Sequence, residues 1–236
     1  MNLIIDIGNT AIKFAVFKGK KMEKFAVGDA ANFSDFIKDK KINKAIISAV
    51  APSIEIEKIL KKEKIKFIHL SSETKIPIEN QYKTPKTLGD DRLANVVALS
   101  ALYPNSNSLT IDCGTCIKFD SLTSSNEYKG GAISPGLRMR FEALTHFTDK
   151  LPLIEPSEID FLIGDTSENS ILSGVINGCK AEIDGVISQY HRIYENLTVI
   201  LTGGDAHFFE NELKNDIFVN SNLTLIGLNE ILLHND

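Results

Sequence analysis

The chain has 236 residues, 43% of them hydrophobic and 24% charged, enough to pack one large domain or two small ones. Its net charge of −5 and pI of about 5.6 argue against nucleic acid as a partner, because such binding rests on a basic footprint over the phosphates. No stretch approaches the roughly 18 to 20 apolar residues that span a bilayer. The start, Met-Asn-Leu-Ile-Ile-Asp, lacks a signal-peptide pattern, so the expectation is a cytoplasmic protein with no membrane partner.

Residues 3–10 read as an apolar strand running into a polar, glycine-bearing turn, and 12–17 and 21–27 continue as strands of a meander. Phe33, Phe36 and Ile37 have helical spacing, 45–50 is an apolar strand, Ile56, Ile59 and Leu60 mark a second helix, and 67–70 is again a strand. Pro77 and Pro85 punctuate a loop before an alanine-rich helix over 91–103. The pattern then restarts. Residues 109–115 repeat the strand and turn, 116–122 and 127–133 supply two more strands, and a helix begins at Leu137 with Phe141, Leu144 and Leu151 on its stripe. A long helix over 167–195, a strand over 197–201, the turn Thr202-Gly203-Gly204-Asp205 and a helix ending near Leu233 complete the chain. This repetition predicts an α/β fold of two similar halves, 1–107 and 108–236, around a ligand-binding cleft.

Asp6-Ile7-Gly8-Asn9-Thr10 and Asp112-Cys113-Gly114-Thr115 share the form Asp-x-Gly followed closely by Thr, each at the end of a first strand. Glycine lets backbone N–H groups approach a phosphate, the threonine hydroxyl adds a donor, and a carboxylate beside polyphosphate implies an intervening cation. The alternative is two ordinary hairpin turns. Gly203 and Gly204 are candidate adenosine contacts, since a bare backbone admits a flat ring. Neither the Rossmann nor the Walker fingerprint occurs. Gly89-Asp90-Asp91-Arg92 opens a helix. An aspartate there is either a cap or, beside a guanidinium, a base facing an anionic substrate. Cys113-Gly-Thr-Cys116 has redox spacing, but a strand follows it, so packing of small residues is the competing reading.

Taken in order, these motifs resemble the type III pantothenate kinases, members of the acetate and sugar kinase, heat-shock chaperone and actin superfamily. The resemblance rests on Asp6-x-Gly8-Asn9-Thr10, Tyr82 followed by Pro85, Gly89-x-Asp91-Arg92, Asp112-x-Gly114-Thr115 and Gly130-Gly131. It continues through Ser134-Pro135-Gly136, Leu151-Pro152, Gly164-Asp165-Thr166, Ser170-Ile171, Ser173-Gly174 and Thr202-Gly203-Gly204, nearly the whole chain. It implies a duplicated ribonuclease H-like, actin-like ATPase fold. The implied reaction moves the ATP γ-phosphate to the primary hydroxyl of pantothenate, giving 4′-phosphopantothenate, the first step toward coenzyme A. A homodimer, magnesium and a monovalent cation, potassium or ammonium, are implied as well.

Carried over residue by residue, Asp6, Ile7, Gly8, Asn9, Thr10, Ala11, Ile12 and Lys13 form the first phosphate loop, and Thr115 contacts ATP. Asp91 is the general base. Tyr82, Gly89, Asp90, Asp91 and Arg92 hold pantothenate, Thr166 reaches it, and Asp112 coordinates the monovalent cation. Two departures stand out: the family's second loop reads Asp-x-Gly-Thr-Ala-x-Thr-x-Asp, and here Cys116 and Lys118 replace its alanine and second threonine. Lys118 brings positive charge beside the phosphates, which bears on the cation. The alternatives are a same-fold kinase for another small hydroxylated substrate and a regulatory or transcription-accessory protein without turnover. Intact Asp6, Asp91 and Asp112 favour catalysis. In the long helix, Leu172, Val175, Cys179, Ile183, Val186, Tyr190 and Ile193 form an apolar seam, and Ser170, Gly174, Gly178, Ala181 and Gly185 a stripe of small residues. One stripe facing the chain's own sheet and the other a partner would make this helix part of the dimer interface.

Overall fold

The alternation of apolar strands and amphipathic segments becomes two sheets with their helices in the computed structural model, which describes residues 1–8, 11–50 and 52–236. The strands are β1 (Asn2–Ile7), β2 (Ile12–Lys18), β3 (Lys21–Gly28), β4 (Lys44–Ala49), β5 (Lys66–His69), β6 (Glu79–Asn80), β7 (Ser108–Cys113), β8 (Cys116–Leu122), β9 (Glu127–Pro135), β10 (Thr198–Thr202) and β11 (Phe218–Val219). The α-helices are α1 (Ala30–Ile37), α2 (Ile54–Lys62), α3 (Asp90–Leu102), α4 (Leu137–His146), α5 (Ser167–Ile193) and α6 (Leu223–His234). No helix among the described residues is long and apolar enough to cross a membrane.

The first unit comprises residues 1–104, 126–129 and 222–236. Its sheet has the order β3-β2-β1-β4-β5. β2 is antiparallel to β1 and β3, whereas β4 is parallel to β1 and β5. β1 is central, and a strand covered on both faces reads as a continuous apolar run rather than an alternation. On one face Leu3, Ile5, Phe14 and Ile47 pack with Phe33 and Phe36 of α1 and Ile56 and Leu60 of α2. Ile4 and its register partners Ala15 and Ile46 are fully buried toward the other face, where α6 packs against β1 and α3.

The sequence division at 107/108 assigns the terminal helix to the second half, but residues 222–236 group with the first. Named polar ties hold α6 there: Asn2 Nδ2 donates to Asn229 Oδ1 at 3.0 Å, Lys44 Nζ to the Leu232 carbonyl at 2.9 Å, and Thr224 Oγ1 to Asn95 Oδ1 at 2.8 Å. Helical periodicity marks the buried face of α6 without saying which sheet it covers. Residues 126–129 also join this unit, because β6 pairs in parallel with the start of β9, Asn80 opposite Tyr128.

The second unit comprises residues 105–125 and 130–221. Its strands run β11-β10-β7-β8-β9, with β7 antiparallel to β8 and β10 parallel to both β7 and β11. Each half therefore sets its first strand between a hairpin partner and a parallel strand, the duplication read from the repeated strand pattern. In α5, Leu172, Val175, Cys179 and Ile183 of the expected seam pack with Ile176 and Ile187 into the core of this unit, against Ile111, Phe119 and Leu201. Ile193 at the end of the seam stays exposed. α4 ends at His146, so Leu151 packs on the core from the following loop instead of extending the helical stripe.

α3 and α6 approach so closely that a Cβ at Gly227 would lie 1.7 Å from the Ala94 carbonyl oxygen. Gly227→Ala should therefore lower the unfolding free energy by about 1 to 3 kcal/mol, the usual cost of overpacking. Urea denaturation with an unchanged slope reads this directly, and a wild-type midpoint would show that the helices can separate freely.

Candidate functional site

The elements of the site are built within each unit. In the first, Asp6 stands near the carboxyl end of β1, opposite Ser48 of β4 and Lys13 of β2 in the strand register. Buried Ser48 donates its hydroxyl to Asp6 Oδ1 at 3.0 Å, fixing the carboxylate where parallel strands end and ligands of α/β sheets usually bind. Beyond it the Gly8 N–H donates to the Ala11 carbonyl at 3.1 Å, turning the chain toward β2. Asn9 and Thr10 of the expected phosphate loop lie outside the described residues. Ile7 is buried, and Ala11, Ile12 and Lys13 are half-buried.

The N-cap of α3 is Gly89, so Asp90, Asp91 and Arg92 are its first three helical residues and neither aspartate caps it from the N-cap position. Asp91 Oδ1 accepts the Arg92 N–H at 2.8 Å. A Cβ on residue 89 would sit 2.7 Å from that oxygen, which is why a side chain is lacking there. The helix start, with its partial positive charge, thus supports the Asp91 carboxylate. Asp90 is half-buried, and its carboxyl is pushed up to about 6. Burial is the main cause, the negative charges of Asp91 and Asp6 add to it, and a backbone hydrogen bond from Ala49 and the charge of His69 oppose it. Asp6, Asp90 and Asp91 accordingly form one electrostatically coupled acidic cluster.

Arg92 is 5% exposed, and its guanidinium lies over the Tyr82 ring, 5.4 Å from the centroid. Tyr82 stacks in turn on fully buried Tyr128, with centroids 6.1 Å apart and planes 7° from parallel. Asn80 Oδ1 accepts the Tyr82 N–H at 3.0 Å and sets the start of this loop. Tyr82 lines a cavity of about 450 Å³ with Gln81, Lys83, Thr84 and Lys129. Tyr128 went unseen in the sequence as a supporting residue, because only the pairing of β6 with β9 brings it beneath Tyr82.

In the second unit the other expected loop and the glycine turn meet. Asp112 is the penultimate residue of β7, next to Cys113, whose carbonyl accepts the Asp205 N–H at 2.9 Å. Gly203 has φ +97°, and a Cβ there would fall 2.2 Å from the Cys113 carbonyl and 2.6 Å from Asp112 Oδ1. Only glycine lets this turn close onto the loop. Thr115 presents its carbonyl to the Gly136 N–H at 3.2 Å, so the end of β9 backs the loop. The space around Gly204 is open. Burial, with the nearby charges of Asp112 and His207 acting in opposite directions, raises the Asp205 carboxyl above its ordinary range.

Lys118 on β8 is the direct cross-strand partner of Asp112, its Nζ 2.8 Å from Asp112 Oδ2, with the side chains only 16% and 13% exposed. Cys113 is fully buried and burial pushes its thiol up, opposite to what a redox pair needs; both it and Cys116 are free thiols. Cys116 contacts Met139 instead. Thr166 is the N-cap of α5, its hydroxyl oxygen accepting the Asn169 N–H at 3.1 Å. It lies on an apolar groove of about 960 Å³ lined also by Leu144, Phe147, Leu151 and Ile171.

A family model described as type III pantothenate kinase matches residues 2–189. A type III pantothenate kinase of Christiangramia forsetii is 46% identical over 241 residues, covering 100% of this chain and 99% of its own. Among solved structures, a Campylobacter jejuni protein described as a Baf family transcriptional activator superposes with TM-score 0.62 at 22% identity, covering 99% of this chain and 98% of that one. A ROK hexokinase of Thermus thermophilus gives TM-score 0.53 at 11% identity, with 99% of each chain covered. The two structures share the duplicated ribonuclease H-like fold, and the range matched by the family model includes both acidic loops and the Gly89–Arg92 segment. The chain belongs to the type III pantothenate kinase family.

Proposed function

We propose that the protein transfers the γ-phosphate of ATP to the primary hydroxyl of pantothenate. The observation that carries this reading is the acceptor segment: Asp91 seated over a helix start, beside a buried Arg92 stacked on Tyr82. Phosphoryl transfer asks a protein mainly for positioning and charge neutralisation. Asp91 takes the proton from the attacking hydroxyl as the new phosphorus–oxygen bond forms. Tyr82, Gly89, Asp90 and Arg92 hold pantothenate, with Arg92 pairing with its carboxylate or orienting Asp91, and Thr166 reaches the same substrate. Asp6 to Lys13 and Thr115 receive the ATP phosphates, and Gly203 and Gly204 its adenosine.

Magnesium held with ATP neutralises the phosphate oxygens. Asp6 and Asp90 would suit such an ion, because a nearby cation would offset the burial and the negative charges of Asp91 and Asp6 that raise the Asp90 carboxyl. Among the described residues no group of three His, Cys, Asp or Glu side chains is arranged to hold a metal, and magnesium commonly uses one or two carboxylates with phosphates and water. A free monovalent cation at Asp112 does not fit as well, because the Lys118 ammonium already lies against that carboxylate.

A homodimer through α5 is supported by what that helix leaves uncovered. Gly174, Gly178 and Gly185 are exposed, and a Cβ on any of them would meet no atom within 4 Å. Phe147, Leu162 and Ile163 are exposed apolar side chains of the same unit. A second copy bringing its backbone against the glycines would cover this surface, and sedimentation should show a dimer that Gly178→Leu shifts toward monomer. A wild-type monomer with full turnover would refute this arrangement.

Asp91→Asn keeps the shape of the helix start and removes the base. It should retain the wild-type melting temperature while kcat falls by about 10²- to 10⁴-fold, the usual range for general-base assistance. ADP release measured with and without pantothenate is the assay. Release that does not depend on pantothenate would reject the substrate, and near-wild-type kcat in the variant would remove Asp91 from the role of base.

A further inference from the structure

Asp112 and Lys118 face one another across the β7–β8 ladder, where side chains of directly opposed residues meet. The ammonium lies 2.8 Å from Asp112 Oδ2, and both side chains are largely withdrawn from water. The other carboxylate oxygen is walled by the glycine turn, a Cβ on Gly203 coming within 2.6 Å of it and one on Gly114 within 3.7 Å. One oxygen of Asp112 thus meets the ammonium and the other lies close to the glycine turn. We propose that the Lys118 ammonium is a built-in monovalent cation at Asp112, so that turnover needs no potassium or ammonium ion.

A lysine head group carries the single charge of those ions and is chemically a tethered ammonium. Being covalently attached, it reaches the carboxylate without the entropic cost of capturing an ion from solution. A free ion at the same place would have to displace it or share a half-buried carboxylate with a second positive charge a few ångströms away, which the low local dielectric penalises. The role is one of positioning. Lys118 holds Asp112 against the glycine turn and gives the second Asp-x-Gly loop the positive charge that a carboxylate beside phosphate requires. This inference rests on the kinase reading for its effect on turnover, and on the ion pair alone for its effect on ion binding.

The test compares the wild type with Lys118→Thr, which restores the residue usual at this place in the family's loop. Pantothenate-dependent ADP release is followed in sodium or Tris buffers with and without potassium, and thallium(I) binding by thallium NMR serves as a probe independent of turnover. The wild type should change by less than about twofold on adding potassium and bind no thallium, whereas the variant should lose at least about tenfold without potassium, regain it with potassium, and bind thallium. A lysine with a merely structural role would show neither the rescue nor the new ion site. A wild type that is silent without potassium, or that binds thallium as the variant does, would overturn the proposal. Absence of pantothenate turnover in every salt would instead reject the kinase reading, and the thallium comparison would still decide the role of Lys118.

Discussion

A carboxylate withdrawn from water must be held by a donor or a cation, and both halves of this chain are arranged around that requirement at the end of their first strand. In the first half a neutral donor, Ser48 from the adjacent parallel strand, supports Asp6. In the second half a charged partner, Lys118 from the adjacent antiparallel strand, supports Asp112. Beside the first loop, burial, with the charges of Asp91 and Asp6 added to it, raises the Asp90 carboxyl. The other has its charge already balanced by a lysine.

The acceptor segment depends on a second constraint, the packing of flat groups. Arg92 is buried at the start of α3, and a buried guanidinium needs a face to stack on and acceptors for its N–H groups. Tyr82 supplies the face, and Tyr128 keeps Tyr82 in place. Tyr128 reaches this position because the first residues of β9 pair in parallel with β6. A two-residue strand thus fixes the plane of a side chain in the candidate substrate site.

Much of this was legible in the residues. Apolar runs at β1 and β7 marked strands, and the 3.6-residue spacing of Phe33, Phe36 and Ile37 marked α1. The repeated Asp-x-Gly turns marked the duplication and the candidate phosphate loops, because the same turn recurs at the end of the first strand of each repeated unit. Less legible were contacts between residues far apart in the chain. The seam of α5 read as a coiled-coil-like stripe, yet most of it packs into its own core, since a periodicity of three and four residues identifies a buried face without identifying what buries it.

The sequence by itself determined most of the longer elements, the duplication, the family and the identity of the charged residues, because periodicity, turn chemistry and motif spacing are local properties of the chain. Only the tertiary structure decided that α6 closes the first unit rather than the second, that Tyr128 underlies Tyr82, and that Lys118 meets Asp112 at 2.8 Å. Each of these depends on strand register or on helix packing between distant segments. An antiparallel register that opposes residue 112 to residue 118 sets both side chains on one face of the sheet; a shift of one residue would have placed the lysine on the other side, away from the carboxylate.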